Sequence, residues 1–364
     1  MKKVLIILVC CIFVVVCSLV IHNALKPNDR PLTYEIGNVK KNISKLKNNY
    51  KNTLNKNEGY WVMCDGCQIH YRTDGVGKAI LVIHGGPGEP YKKPWEGLKL
   101  INQKYSFVYY DQRGCGKSTR CVNKFDSNNW SLCQPELYNK LGIEPALRDI
   151  EEIRKIIGID KITLIGHSYG GVIAALYAIE FPENVDKLIL VSPAPSIRFP
   201  IESNLDLYKI IEKELSEKTK KEFEIYQKDE WDFSKIIKKS EKELSNQNSY
   251  FFHFYDEYHK NIGLSNSVSL IDNLVDKENI GGWLSYAYAL SFPKHFDYRK
   301  NLRSIKAQTL IIWTDKDICQ KEGIEEYSIN IPESKTIQIK NGGHFVYEEN
   351  PSEFSKVILD FLKN

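Results

Sequence analysis

Lys161-Ile162-Thr163-Leu164-Ile165-Gly166-His167-Ser168-Tyr169-Gly170-Gly171 joins a short apolar run to the alanine-rich stretch GGVIAALYAIEF. KITLIG has the length and composition of a buried strand, and the residues after it have those of a closely packed helix. The Gly-x-Ser-x-Gly pattern therefore falls on a strand-to-helix turn. A nucleophilic serine needs that context, because its strained turn tolerates only small flanking residues. Gly166 and Gly170 provide the room. The turn also aims the first N–H groups of the helix at the reacting centre, where the helix terminus favours negative charge. An inert serine in a glycine-rich corner is the plain alternative. Ser168 is read as a nucleophile.

A serine hydroxyl attacks only when a neighbouring base takes its proton, so a histidine and an acid must be supplied from elsewhere. On a strand–turn–helix nucleophile they follow in the order Ser, Asp, His. His344, in Asn341-Gly342-Gly343-His344-Phe345, is the only histidine after residue 300 and follows the strand signal SKTIQIK. Two carboxylates compete for the acid, since TLIIW runs into Thr314-Asp315-Lys316-Asp317. Asp317 leaves a full turn for the side chain to reach back, and Asp315 reads more simply as a turn former.

Working outward, GYWVMC and CQIHYRT flank an Asp-Gly turn, AILVIH and YSFVYYD are strands, and EPALRDIEEIRKII is an amphipathic helix. KLILVS, QTLIIW and SKTIQIK are further strands, and SEFSKVILDFL is a closing helix. This alternation predicts an α/β fold with a mostly parallel sheet covered on both faces. Between 196 and 305 the strand signals give way to charged helical sequence with aromatics at Tyr250, Phe251, Phe252, Phe254, Tyr255 and Tyr258. An insertion of that size reads as a helical cap over the active end of the sheet. The aromatics form either the core of the cap or a pocket for an apolar or cyclic group. The expected units are 59–195 and 306–364 for the core and 196–305 for the cap.

Two further stretches carry a resemblance: His84-Gly85-Gly86-Pro87-Gly88 after AILVI, and Asp111-Gln112-Arg113-Gly114-Cys115-Gly116-Lys117-Ser118 after YSFVYY. With GHSYGG they resemble the proline iminopeptidase branch of the α/β-hydrolase fold, a family of serine aminopeptidases. The resemblance covers about residues 60 to 195 and 306 to 364. It implies an oxyanion hole from the backbone N–H groups of Gly86 and Tyr169, and a structural role for the Asp111–Ser118 loop. A glycine-rich turn lets the main chain approach a substrate oxygen closely, which agrees. The family holds a substrate amino terminus with cap glutamates. That motif does not align here, and Glu202 and Glu257 are candidates only as acidic residues in a charged segment.

The chain's 364 residues, 42% hydrophobic and 12% aromatic, exclude a disordered protein. Fifty basic against 46 acidic residues, a net charge of +4, do not suggest nucleic acid as a partner. Val4 to Ile21 is uncharged and follows Lys2 and Lys3. As a helix it would be roughly 27 Å long, enough to span a bilayer. Residues 1–22 are expected to form a transmembrane anchor, with a cleaved signal segment as the alternative. The catalytic part is then expected outside the cytoplasm. Residues 23–58, with eight Lys or Arg and three acidic residues, read as a tether, drawn in one reading to anionic lipid or wall polymer. Cys64 with Cys67, and Cys121 with Cys133, are candidate disulfides in such a compartment.

The expected activity is a serine aminopeptidase releasing N-terminal residues from short peptides. An esterase or lipase for small acyl substrates is the alternative on the same triad. A non-catalytic surface binding protein is a minor third. The chemistry requires neither cofactor nor metal.

Overall fold

The computed structural model describes residues 32–43, 54, 57–264 and 267–363. The strands are β1 (Glu58–Val62), β2 (Gln68–Gly75), β3 (Lys78–Ile83), β4 (Tyr105–Tyr110), β5 (Ile162–His167) and β6 (Val185–Val191). A two-stranded ribbon of β7 (Arg198–Phe199) and β8 (Phe296–Asp297) follows, then β9 (Gln308–Thr314) and β10 (Ser334–Ile339). Among the described residues the main sheet has eight strands in the order β1-β2-β4-β3-β5-β6-β9-β10. Only β2 runs against the rest, pairing antiparallel with β1 and β4. The mostly parallel sheet expected from the sequence is present.

The continuous apolar composition of the central strands reflects burial on both faces. Every residue of β5 is buried, as are the last four of β3, β4 and β6. Helix Ile143–Ile157 buries its apolar stripe on the core and ends at Gly158, whose φ of +77° and N–H to the Arg154 carbonyl form a left-handed cap. Helices Tyr169–Glu180 and Pro351–Lys363 also pack on the sheet.

Between β6 and β9 the chain is helical, from Leu207–Glu214 through Trp283–Ala289, closed at its base by the ribbon of β7 and β8. Its interior is aromatic: Phe254 lies 4.7 Å from Phe223 and 5.3 Å from Tyr226, ring centre to ring centre. Helix Trp130–Leu141, which contains Pro135, was not legible in the sequence and packs on Trp283–Ala289.

The tether reading needs correction over residues 32–43. Tyr34 is fully buried, and its hydroxyl donates to Glu180 Oε1 at 2.8 Å. The N–H groups of Gly37 and Lys40 reach the same carboxylate. A short helix, Asn38–Ile43, buries Val39 and Ile43. The lysines are on the surface of this segment, but its apolar residues are buried where it packs on helix Ile143–Ile157. The anchor expected at 1–22 lies outside the described residues. Among those described, no helix is long and apolar enough to cross a membrane.

Candidate active site

Strand register gathers the site. Ile83 pairs with Gly166, His167 with Val191, Val191 with Ile312, and Thr314 with Ile339. The carboxyl ends of β3, β5, β9 and β10 are thus level, and the loops bearing Gly86, Ser168, Asp317 and His344 leave the sheet on one edge. Between β3 and β5 the strand order reverses, because β4 was laid down on the opposite side. A crevice opens at such a switch point.

Ser168 occupies φ +55°, ψ −123°, a conformation a non-glycine residue holds only when its surroundings impose it. A Cβ on Gly166 would lie 2.4 Å from the Gly170 carbonyl oxygen, and one on Gly170 would lie 2.3 Å from that of Ile83. Both positions demand glycine, for the reason the motif implied. The Ser168 hydroxyl makes no hydrogen bond to a described residue and opens on a chamber that His344 also lines.

His344 Nδ1 donates to Asp317 Oδ1 at 2.7 Å, and both residues are buried. The same oxygen accepts the Cys319 N–H at 2.8 Å, which fixes the carboxylate. Asp315 is exposed and only receives the Gly342 N–H at 3.4 Å, as a turn former does. Because Nδ1 carries the proton toward Asp317, Nε2 is left as the basic nitrogen. His167, inside the serine motif, supports this from below: its Nε2 donates to the His344 carbonyl at 2.8 Å, and its Nδ1 accepts from the Tyr91 hydroxyl at 2.9 Å. Burial, reinforced by the nearby His344, holds the His167 pKa well below the usual imidazole range, so this ring is neutral. Asp317, Cys319 and His344 also offer three donor atoms within 4.8 Å of one another. Burial pushes the Cys319 thiol far up, and the Cys319 N–H holds the Asp317 carboxylate against the imidazole.

Gly86 has φ +108°, and its N–H, like that of Tyr169 at the first turn of helix Tyr169–Glu180, makes no hydrogen bond to a described residue. Both residues line the chamber with Ser168. His84 holds the loop. Its Nε2 accepts the Gln112 N–H at 3.0 Å, while the Gln112 side chain donates to the His84 carbonyl at 2.8 Å. Burial lowers the His84 pKa to about 4. Arg113, fully buried, donates to Asp149 Oδ2 at 2.7 Å and pairs with Asp65 at 2.9 Å. The Asp111–Ser118 loop is thus framework, as its resemblance implied.

The chamber has a volume of about 890 Å³ and is roofed by the cap. Of the aromatic cluster, Phe251, Phe252 and Tyr255 line it and Phe254 is cap core, so the cluster serves both purposes. Glu202 and Glu257 do not line it. Glu202 is exposed and pairs with Arg198 at 3.0 Å. Glu257 accepts from the Ser216 N–H at 2.7 Å and the Thr219 hydroxyl at 2.6 Å, bracing the start of helix Glu217–Glu230. The chamber's carboxylates are Glu89, Asp206 and Glu230, of which Asp206 caps helix Leu207–Glu214 by accepting the Tyr208 N–H at 3.0 Å. Glu230 accepts from the Tyr208 hydroxyl at 2.7 Å and that of Tyr226 at 3.3 Å. The carboxylate of Glu89, just past His84–Gly88, has no hydrogen bond or ion pair to a described residue, while its N–H donates to the Gly85 carbonyl at 3.2 Å. Burial pushes its carboxyl up to about 7, although His344 nearby opposes the rise, and burial also raises that of Glu230. Sequence reasoning missed both: only its place three residues past Gly86 could have pointed to Glu89, and nothing marks Glu230.

A sheet reversing at β3, a serine on a strained strand–helix turn and an Asp–His pair at the same edge define a class. The family model for the alpha/beta hydrolase fold matches residues 78–351, and the chain belongs to that family. Within it, the chain is 27% identical over 291 residues to a proline iminopeptidase of Heyndrickxia coagulans, covering 80% of this chain and 92% of that protein. A proline iminopeptidase structure from Mycobacterium smegmatis superposes with a TM-score of 0.53 at 14% identity, covering 84% of this chain and 97% of that one. A thermophilic esterase from Thermogutta terrifontis superposes at 0.55 and 17% identity, covering 85% and 98%. The two structures share the fold with this chain.

Proposed function

We propose that the chain is a serine aminopeptidase of the proline iminopeptidase type. One observation carries the reading: of the three carboxylates lining the chamber over Ser168, Asp206 caps a helix, whereas Glu89 and Glu230 have no cationic partner among the described residues. Burying carboxylates without a counter-ion is costly, and a substrate ammonium supplies the missing charge. An ester with no amine offers nothing to them. In an N-terminal residue the amine is two bonds from the scissile carbonyl. Its anchor must therefore stand close to the oxyanion loop, and Glu89 follows Gly86 by three residues. The aromatic lining, Tyr208, Phe251, Phe252, Tyr255 and Tyr286 among it, suits a flat ring such as pyrrolidine.

In this mechanism His344 Nε2 takes the Ser168 proton as Oγ attacks the carbonyl carbon. The N–H groups of Gly86 and Tyr169 receive the negative oxygen. Asp317 holds the imidazole in the tautomer that leaves Nε2 basic. The imidazolium then protonates the leaving amine. Water, deprotonated by His344, opens the acyl-enzyme.

Prolyl and alanyl arylamides, free and N-blocked, compared with short aryl esters test the reading. Cleavage confined to free-amine arylamides supports it. Indifference to N-blocking, with fast ester hydrolysis, sinks it in favour of an esterase.

The proposal includes the location expected from the sequence, with the apolar N-terminal segment holding the domain outside the cytoplasm. Trypsin added to intact cells would then digest the domain, and protection until lysis would overturn that placement.

A further inference from the structure

We infer that Cys67 and Cys121 form a disulfide-forming pair that locks the cap-anchoring loop to the edge of the sheet. Their sulfurs are 3.5 Å apart, and no other described pair of thiols is in contact. Bond formation needs a closure of roughly 1.5 Å, since a disulfide measures about 2.05 Å. The backbones are already fastened side by side. The Thr119 N–H donates to the Gln68 carbonyl at 2.9 Å, the Gln68 N–H donates to Thr119 Oγ1 at 3.0 Å, and the His70 N–H to Ser118 Oγ at 2.9 Å. The pairings expected from spacing are not the ones the fold sets up. Cys64 is exposed on the Asp-Gly turn, and Cys133 turns its thiol to the Ser127 carbonyl at 3.3 Å.

The two thiols have different access. Cys67 is buried, whereas Cys121 is half-exposed. The hydrogen bond between the two sulfurs and the nearby Arg113 guanidinium hold the Cys121 thiol below its usual pKa. Cys121 is therefore the attacking sulfur and Cys67 the resolving one. With a low-molecular-weight disulfide as oxidant, the Cys121 thiolate displaces one thiolate and forms a mixed disulfide. Cys67, losing its proton, then attacks Cys121 Sγ and displaces the second. Two protein thiols are oxidised and one small disulfide is reduced to two thiols.

The crosslink would act on the cap through a neighbour. Arg120, next to Cys121, donates to Glu241 Oε1 at 2.9 Å and to the carbonyl of Asn279 at 2.9 Å, both between β6 and β9. It also donates to the Ile280 carbonyl, a residue lining the chamber. Oxidation ties this loop to β2 across 54 residues of chain, a loop long enough to stabilise substantially.

The test is peptide mapping of the full chain after incubation with excess oxidised glutathione and alkylation of remaining thiols under denaturing conditions. Trypsin places Cys64 and Cys67 together in peptide 57–72 and Cys121 in 121–124, so Cys64→Ser is mapped in parallel. The expected result is a linked pair of these peptides in the parent and in Cys64→Ser, released by dithiothreitol and absent in Cys121→Ser. The oxidised parent should also melt roughly 5 °C or more above the reduced one. Separately alkylated or separately glutathionylated peptides overturn the inference. So does a link that disappears in Cys64→Ser.

Discussion

Asp317 Oδ1 lies 2.7 Å from His344 Nδ1, while Asp317 Oδ2, equally buried, has no hydrogen-bond partner among the described residues. The carboxylate directs one oxygen to the imidazole and to the Cys319 N–H, and that geometry selects it over Asp315. Asp317→Asn should lower kcat about 10⁴-fold, because an amide can stabilise the wrong tautomer. Asp315→Asn, on an exposed turn, should change it less than about threefold. Steady-state kinetics of the two variants separate the assignments, and equal losses would undo both.

Ser168→Ala should reduce turnover on the order of 10⁶-fold. It should also abolish labelling by a fluorophosphonate probe while leaving the fold intact by circular dichroism. Labelling that persists in the variant would move the nucleophile elsewhere.

Glu89 gives the aminopeptidase reading a pH signature. Its carboxyl is pushed up to about 7 by burial, so in the free enzyme it is mostly protonated below that pH and ionised above it. An ammonium anchor must be ionised. KM for free-amine arylamides should therefore rise as pH falls below about 7, and this limb should be missing from the KM profile of a neutral ester. Glu89→Gln should raise the arylamide KM about 10–100-fold, the worth of one charge-assisted hydrogen bond, and flatten the limb. Glu230→Gln should raise it as well. A wild-type KM that does not change between pH 5 and 8 would remove Glu89 from substrate binding.

Residues 32–43 should count as part of the domain. Glu180 is buried and accepts from the Tyr34 hydroxyl and the N–H groups of Gly37 and Lys40. A chain beginning at residue 44 strips it of all three and uncovers the apolar surface that Tyr34, Val39 and Ile43 bury, a loss of about 3 kcal/mol or more. Its Tm should fall about 5–10 °C below that of a chain beginning at residue 32. Differential scanning calorimetry checks this, and equal melting temperatures would reduce the segment to a tether.

What the sequence determined by itself was whatever rests on local physics. Alternating apolar runs and amphipathic stretches dictated the strands and helices of the core, since each element must bury one or both faces. Gly166 and Gly170 declared the turn at Ser168, because no other residue fits beside the Gly170 and Ile83 carbonyls. His344 followed from its place in the chain order. Tertiary structure alone decided what depends on chains meeting across distance. Asp317 and Asp315 are two residues apart and chemically identical, and only the approach of the β10 loop shows which one meets the imidazole. Glu202 and Glu257 were as acidic as Glu230, yet the cap's packing turned them to Arg198 and to a helix start while aiming Glu230 into the chamber. Tyr34 sat in a lysine-rich stretch whose composition described its solvent face and said nothing of the face beneath. Periodicity and glycine report a residue's own backbone, whereas partnership is set by how separate elements pack. For that reason Ser168 was legible from the sequence and the carboxylates facing it were not.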